Sequence, residues 1–359
     1  RELAAEIPEI DGIFGSSTFL KIPDFIKTVT GGKRVTVLDS VPGFLYDHRM
    51  ERHGLTPKHS VYVKIQEGCR NLCSYCVIPA IRGPFRSRKI ESVLSEIASF
   101  KKSGAKEINL IGQDTTLYGA DMYKKKALAG LLKKAAGLMK GGWVRLLYTH
   151  PAHYTEELIE VIRGEPAICE YLDLPVQHIS DKILKKMNRH VTKKGVKRLI
   201  EKLKLRIPDL AIRTSVIVGF PGETEKDFRE LADFVRETRF DRLGAFMYSR
   251  EEGTPAFSFP GQVPQKEKER RFRHIMEIQQ KVSFENNKKY LGRTLEVIVD
   301  EKDKSAARQY IGRTRHDAPE VDGNVYLRSK SELRPGDFVS ARIEDTLEYD
   351  LVAGVKERE

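Results

Sequence analysis

SVYVKIQEGCRNLCSYC, residues 60–76, decides how the rest of the chain is read. The run from Ser60 to Ile65 is rich in β-branched and aromatic residues, the pattern of a strand. It ends in a loop where Cys69, Cys73 and Cys76 stand at CxxxCxxC spacing. A loop this short can wrap three thiolates around three corners of an iron–sulfur cubane and leave one iron without a protein ligand. The competing reading is a tetrahedral zinc site completed by Cys169 or a histidine. Zinc modules usually need two CxxC pairs, however, and Cys169 stands alone before YLDLP, where it reads as a buried core thiol.

Outward from that loop the pattern alternates. Strand-like runs at 60–65, 106–111, 143–148, 170–174, 211–218 and 243–248 are separated by amphipathic stretches at 91–103, 127–139, 155–163, 192–205 and 225–237. Crossovers of that length imply parallel β/α units, and six of them imply a partial (β/α)6 barrel with its chemistry at the carboxyl ends of the strands. Residues 1–57 hold a helix-like RELAAEIPEI, a strand-like VTVL at 35–38 and a Pro- and Gly-bearing loop from Val41 to Lys58, an α/β remnant plus linker. A long basic helix over 265–290 leads into short alternating runs between 293 and 355, the texture of a small all-β barrel of the oligonucleotide-binding type. Three domains are expected: 1–57, 58–290 and 291–359.

The chain of 359 residues is 40% hydrophobic, enough for an ordinary core. It has no run long enough to span a membrane and no secretory signature at its start, so a cytoplasmic protein without a membrane partner is expected. Four cysteines are too few for a disulfide scaffold and fit a reducing compartment. The net charge of +12 fits either a polyanionic partner or a lysine-rich solvated surface.

CxxxCxxC directly after the first strand of such a barrel resembles the radical S-adenosylmethionine superfamily. The resemblance implies a [4Fe-4S] cluster on Cys69, Cys73 and Cys76 whose open iron chelates S-adenosylmethionine. It places Tyr75 against the adenine and makes Gly112-Gln113-Asp114 the receiver of the methionine amino group. It also brings Gly219, in GFPGET, to the cofactor. Arg213 is a candidate for the cofactor's carboxylate or for an ordinary strand-end ion pair. No catalytic side chain is assigned beyond the cluster. From the residues themselves, Thr224-x-x-Asp227 is a helix N-cap with an acidic partner.

GCRNLCSYCVIPAIRGPFRSR (68–88), IVGFPGETEKDF (217–228) and YSREEGTPA (248–256) together resemble the methylthiotransferases. That resemblance implies an N-terminal domain with three further cysteines for a second cluster, the radical barrel, and a C-terminal TRAM domain. Those cysteines would lie N-terminal to a segment like RELAAEIPEIDG, so one cluster is expected here and a second in the full-length family protein. GQDTTLYG (112–119), YLDLPVQHISDKILKKMNR (171–189), EEGTPA (251–256) and GRTRHDAPEVDG (312–323) resemble the protein-modifying branch. That branch adds a methylthio group to the β-carbon of an aspartate in ribosomal protein S-twelve of the small subunit, with the help of an electron donor. Asp114 and His178 are markers of the branch, and His178 reads equally well as a core or capping histidine. Residues 291–359 carry 12 Lys and Arg against 15 Asp and Glu, which suits a basic protein partner better than RNA. Glu296, Asp300, Glu344 and Asp345 are then candidate docking charges. The alternatives are the same chemistry on a tRNA adenosine, and a zinc-bearing RNA-binding protein without catalysis.

Overall fold

The computed structural model describes residues 2–38, 41–50, 52, 57–303 and 308–356. Arg1 and residues 53–56 of the expected linker lie outside the described residues. The N-terminal piece runs α1 (Glu2–Glu6), β1 (Gly12–Phe14), α2 (Ile22–Thr30) and β2 (Val35–Val37), with β1 and β2 pairing in parallel. The helix-like opening therefore yields only one and a half turns. The stronger helix, α2, begins at Ile22-Pro23, where a proline at the first turn needs no partner for its missing N–H.

The central unit is a single parallel sheet. Its strands are β3 (Ser60–Lys64), β6 (Glu107–Ile111), β7 (Trp143–Leu146), β8 (Ile168–Asp173), β9 (Ala211–Val218) and β10 (Arg242–Met247), and they lie in that order. Each new strand adds to the same edge, so the sheet coils into a partial barrel and stays open between β3 and β10. A two-residue ladder, β4 (Gln66–Glu67) with β5 (Arg86–Ser87), frames the cysteine loop and the short α3 (Ile78–Arg82). The crossover helices are α4 (Ile90–Lys102), α5 (Leu128–Leu138), α6 (Glu156–Gly164), α7 (Asp181–Lys186), α8 (Lys193–Arg206) and α9 (Glu225–Thr238), followed by α10 (Gln265–Asn287). The apolar stripes of α4, α5, α6, α8, α9 and α10 pack on one face of the sheet: Val93 and Ile97 of α4, and Phe228, Leu231 and Val235 of α9, join Val61, Val63, Ile108, Leu110 and Val144 in one core. Thr224 and Asp227 form the expected capping box at the start of α9.

Alternation along the strands turns the other face inward, and there the residues are charged. Glu107 and Arg145 are fully buried, with Asp173 and Arg242 nearly so. The C-terminal barrel supplies partners for Glu107, Arg145 and Arg242. Its strands β11 (Thr294–Lys302), β12 (Gln309–Thr314), β13 (Val325–Arg328), β14 (Phe338–Thr346) and β15 (Leu351–Val355) close in the order 11-12-13-15-14. The end of β12 and the loop after it, from Arg313 to Asp322, seal the amino-terminal mouth of the larger barrel. Arg313 binds Glu107 at 2.8 Å and Asp300 at 2.7 Å, and Glu107 also receives Arg145 at 2.9 Å. Arg242 binds Asp317 at 2.5 Å, and Arg315 binds Glu170 at 2.9 Å. An apolar patch completes the seam, with Trp143, Cys169, Tyr171 and Ala211 against Ile298 and Ala318. Cys169 is thus a core thiol, and burial pushes its pKa up to about 11.

The seam corrects the reading of the docking charges. Glu296 accepts the Trp143 indole N–H at 3.0 Å, and Asp300 binds both Arg313 and His59. Asp300 is turned onto the larger barrel, whereas Glu296 stands exposed at the edge of the seam with one oxygen on Trp143. Glu344, paired with Arg328, and Asp345 lie on the side away from the seam. Asp317 and Asp322 are also turned into the seam, together with Arg313 and Arg315. Several of the charges counted in the net value are thus spent on the seam, so the net charge of this barrel does not distinguish a protein partner from RNA.

Candidate active site

The opposite, carboxyl-terminal mouth of the large barrel gathers the loops that follow β4, β6, β7, β8, β9 and β10. The cysteine loop is pinned on three sides. The Ser74 N–H donates to Met187 O at 3.0 Å and its hydroxyl to Lys186 O at 2.7 Å, which ties the loop to the end of α7. Ala256 N–H donates to Ser74 O at 2.8 Å, which brings in the EEGTPA segment. Asn71, between the first two cysteines, donates to Asp114 at 2.7 Å and so joins the loop to Gly112-Gln113-Asp114. Three motifs far apart in sequence therefore meet at one loop.

Cys73 is buried, whereas Cys69 and Cys76 are partly exposed, and none of the three is in a disulfide. Arg189 reaches the Cys73 sulfur at 3.6 Å while its other arm donates to Pro175 O at 2.6 Å. A buried guanidinium beside a thiolate cluster stabilises its negative charge and bears on its reduction potential. The donor set of three soft sulfurs on one loop with a cation behind them fits an iron–sulfur cluster. Among the described residues the trio does not gather its sulfurs, with or without a histidine or fourth cysteine, within 4.8 Å of one another, as a closed zinc site would need.

Tyr75 packs edge-on against Phe220, ring centroids 6.4 Å apart, and Phe220 in turn meets Tyr248 at 5.3 Å. This aromatic chain links the cysteine loop to GFPGET and to YSREEGTPA. Gly219 has φ +72°, and a Cβ there would come within 2.4 Å of Lys268, so both conformation and space demand glycine. At Gly112 the demand is space alone: a Cβ would sit 2.5 Å from Gln66 Cγ. Gln113 donates to Glu67 at 3.2 Å. Arg213 does not join these residues. Its guanidinium is held by Asp173 at 3.0 Å and by Asp322 at 3.5 Å, so it occupies the ion-pair alternative.

Asp114 is the hub of the polar wall. Besides Asn71 it takes His153 at 2.8 Å and the Thr116 hydroxyl at 2.5 Å. Burial alone would raise its pKa, but the hydrogen bonds of His153 and Thr116 hold the carboxylate below its usual value. His150 stacks on His153 with centroids 4.8 Å apart. Its Nδ1 accepts the Ala152 N–H at 3.2 Å, which places the proton on Nε2. That Nε2 is buried and has no protein acceptor among the described residues. Burial lowers the His150 pKa to about 2, so the ring is a neutral donor. Asp114, His150 and His153 lie close enough to suggest a cation site, their ligand atoms being within 4.8 Å of one another. The hydrogen-bond pattern argues otherwise, because the His150 lone pair and the His153 Nδ1 are both taken. The arrangement fits an acceptor atom on a bound ligand.

Asn71, His150, His153 and Arg189 were not singled out by the sequence. The histidines carried one usable signal, their place just past a barrel strand. Arg189 closes the quoted segment 171–189, but nothing in its spacing marks it as a neighbour of Cys73. His178 is fully buried, accepts the Ser180 N–H at 3.0 Å and lies 3.9 Å from Glu223, the position of a core histidine.

Comparisons with known proteins agree with this geometry. A family model described as the Radical SAM superfamily matches residues 63–235, and one described as the TRAM domain matches residues 291–355. The ribosomal protein uS12 methylthiotransferase RimO of Pelotomaculum thermopropionicum is 46% identical over 350 residues, 98% of this chain and 79% of that protein. Its counterpart in Geobacter sulfurreducens is 45% identical over 354 residues, 99% of this chain and 79% of that protein. Among solved structures, the radical SAM enzyme coproporphyrinogen III oxidase (HemN) of Escherichia coli gives a TM-score of 0.48 at 14% identity over 79% of this chain and 66% of that one. With nearly half of its residues identical across almost its entire length, the chain belongs to the RimO family of radical S-adenosylmethionine methylthiotransferases.

Proposed function

We propose that the chain methylthiolates the β-carbon of an aspartate in ribosomal protein uS12, with the protein presented in the small ribosomal subunit and electrons supplied by a separate donor. The observation that carries the reading is the cysteine loop itself: three thiols on one loop pinned by Asn71, Ser74 and Ala256, with the Arg189 guanidinium against Cys73. In this reading residues 58–290 are the catalytic unit and 291–359 the TRAM unit. When bound, the cluster and S-adenosylmethionine supply a radical able to abstract hydrogen from an unactivated carbon. The residues present serve that chemistry by placement. Cys69, Cys73 and Cys76 hold the cluster, and Arg189 balances its charge. Tyr75, Gly112, Gln113, Asp114 and Gly219 surround the cofactor, with Asp114 held ionised to receive an ammonium group. His150 offers its Nε2–H to an acceptor. Arg213 is left out of this set because both its partners are protein carboxylates.

Family membership, and not the charge of the C-terminal barrel, supports the protein substrate. The test is anaerobic reconstitution followed by incubation with small ribosomal subunits and, separately, with tRNA. A methylthio group found by mass spectrometry on a uS12 aspartate supports the reading; one found on adenosine replaces it with the tRNA alternative.

A further inference from the structure

We propose that Asp322, on the TRAM domain, is a positioning residue for the reaction mouth, acting through Arg213 and Asp173 on the turn from Tyr148 to His150. Its kinetic arm rests on the methylthiotransferase reading; its structural arm does not. The path is continuous. The Asp322 side chain is 2% exposed and accepts the Tyr171 hydroxyl at 2.6 Å and the Ala318 N–H at 2.9 Å, while its other oxygen faces Arg213 Nε at 3.5 Å. Arg213 Nη1 donates to Asp173 Oδ1 at 3.0 Å. Asp173 Oδ2 stays free to accept the Tyr148 N–H at 3.0 Å, and the Asp173 carbonyl accepts Thr149 N–H at 3.0 Å. Tyr148 and Leu147 carbonyls accept from the Thr115 hydroxyl, and His150 N–H donates to Thr116 at 3.1 Å. Thr116 holds Asp114, and Asp114 holds Asn71 in the cysteine loop.

The weak point of this path is Tyr148, whose φ of +56° is a conformation that a bulky residue keeps only under constraint. Backbone bonds from Thr115 to its carbonyl and from Thr149 to Asp173 flank it, and the side-chain constraint is the hydrogen bond from its N–H to Asp173 Oδ2. Asp322 protects that bond. By drawing the Nε side of Arg213, it leaves one arm of the fork for Asp173. Without it, the guanidinium can close on both Asp173 oxygens, the geometry such pairs prefer, and compete with Tyr148 for Oδ2. The turn then keeps only its bonds to Thr115 and to the Asp173 carbonyl, and the alignment of His150, Thr116 and Asp114 loosens. The TRAM domain thus supplies one end of the frame that shapes the mouth on the far side of the barrel.

Hydrogen–deuterium exchange on the full chain without added cofactor tests the path directly. In Asp322→Asn, peptides covering residues 147–154 should exchange about fivefold faster than in the wild type. Glu296→Ala, which breaks the Trp143 bond at the same seam but lies off the path, should leave them unchanged. In the reconstituted enzyme, Asp322→Asn should raise the KM for S-adenosylmethionine in deoxyadenosine formation by about fivefold with kcat nearly preserved. The double variant with Asp173→Asn should be no worse than the worse single one, since both cut the same path. Where Asp322→Asn does not fold, Asp322→Glu, which keeps the charge but shifts it, takes its place with the same exchange result expected. Unchanged exchange at 147–154 in a folded Asp322 variant, equal acceleration in Glu296→Ala, or multiplying effects in the double variant would overturn the proposal. A wild type that binds iron but cleaves no cofactor would instead sink the functional reading, and the exchange result would still judge the path.

Discussion

Cys73 accepts a hydrogen bond from the buried Arg189 guanidinium on the loop it shares with Cys69 and Cys76, whereas Cys169 sits among Trp143, Tyr171 and Ile298 at the other end of the barrel. Replacing Cys69, Cys73 or Cys76 by Ala should remove the iron and with it all cofactor cleavage, because a cubane on two thiolates is labile. Cys169→Ala should leave iron content unchanged and cost about 1 to 2 kcal/mol in denaturant unfolding, the loss of one packed sulfur. Loss of iron in Cys169→Ala alone would reverse the assignment. Arg189→Gln should retain iron but give a cluster with a more negative midpoint potential, since the positive charge that favours the extra electron is gone; Arg189→Lys should recover part of the shift. The cysteines were legible because their ligand chemistry is written in spacing. Arg189, His150 and Asn71 were not, because each acquires its role from a contact made across the fold.

The six barrel strands and the helices between them were legible to within a few residues, since apolar periodicity survives in sequence as it does in space. The inward face was not. Ser60, Glu107, Asn109, Arg145 and Arg213 alternate with apolar residues as the solvent side of a half-exposed strand would, and only the C-terminal barrel makes that side an interior. Glu107 states the energetic consequence. Burial opposes its ionisation, but the guanidinium groups of Arg313 and Arg145 outweigh it and hold the carboxyl at about 2. Its folded pKa lies below the unfolded one, so the stabilisation is full above about pH 4.5 and is lost as pH falls toward 2. A shift of about two units corresponds to about 3 kcal/mol. Glu107→Gln should therefore destabilise the chain by about 3 to 5 kcal/mol at neutral pH, because it leaves two buried guanidinium groups short of a counter-charge. The difference from the wild type should shrink as the wild type is acidified through that window. Urea titrations at pH 7 and pH 3 measure both; an equal difference at the two pH values would mean that Glu107 is not ionised in the fold.

At the scale of the whole molecule, the C-terminal barrel looks in sequence like an appended recognition module, and on that view its removal should spare cofactor cleavage. The seam argues for the opposite outcome. Deleting residues 291–359 would uncover Trp143, Cys169, Tyr171 and Ala211 as a contiguous apolar patch and strip the salt-bridge partners from Arg242 and Glu107. The charges would be hydrated, and Glu107 would keep Arg145, so the main loss is apolar burial, worth about 25 cal/mol per Å² against a domain stability of only about 5 to 15 kcal/mol. The truncated chain should therefore aggregate or unfold at lower temperature, and any soluble fraction should bind iron poorly and form little deoxyadenosine. The intact chain, by contrast, should hold about four irons, the complement of the one cubane that its clustered cysteines can ligate. Thermal unfolding and iron analysis of both chains, followed by the cleavage assay, separate the two views. A monomeric truncated protein with a wild-type melting temperature and undiminished cleavage would show that the seam is incidental. A destabilised one that regains cleavage when residues 291–359 are added back as a separate polypeptide would show that the contact itself, and not covalent continuity, completes the barrel.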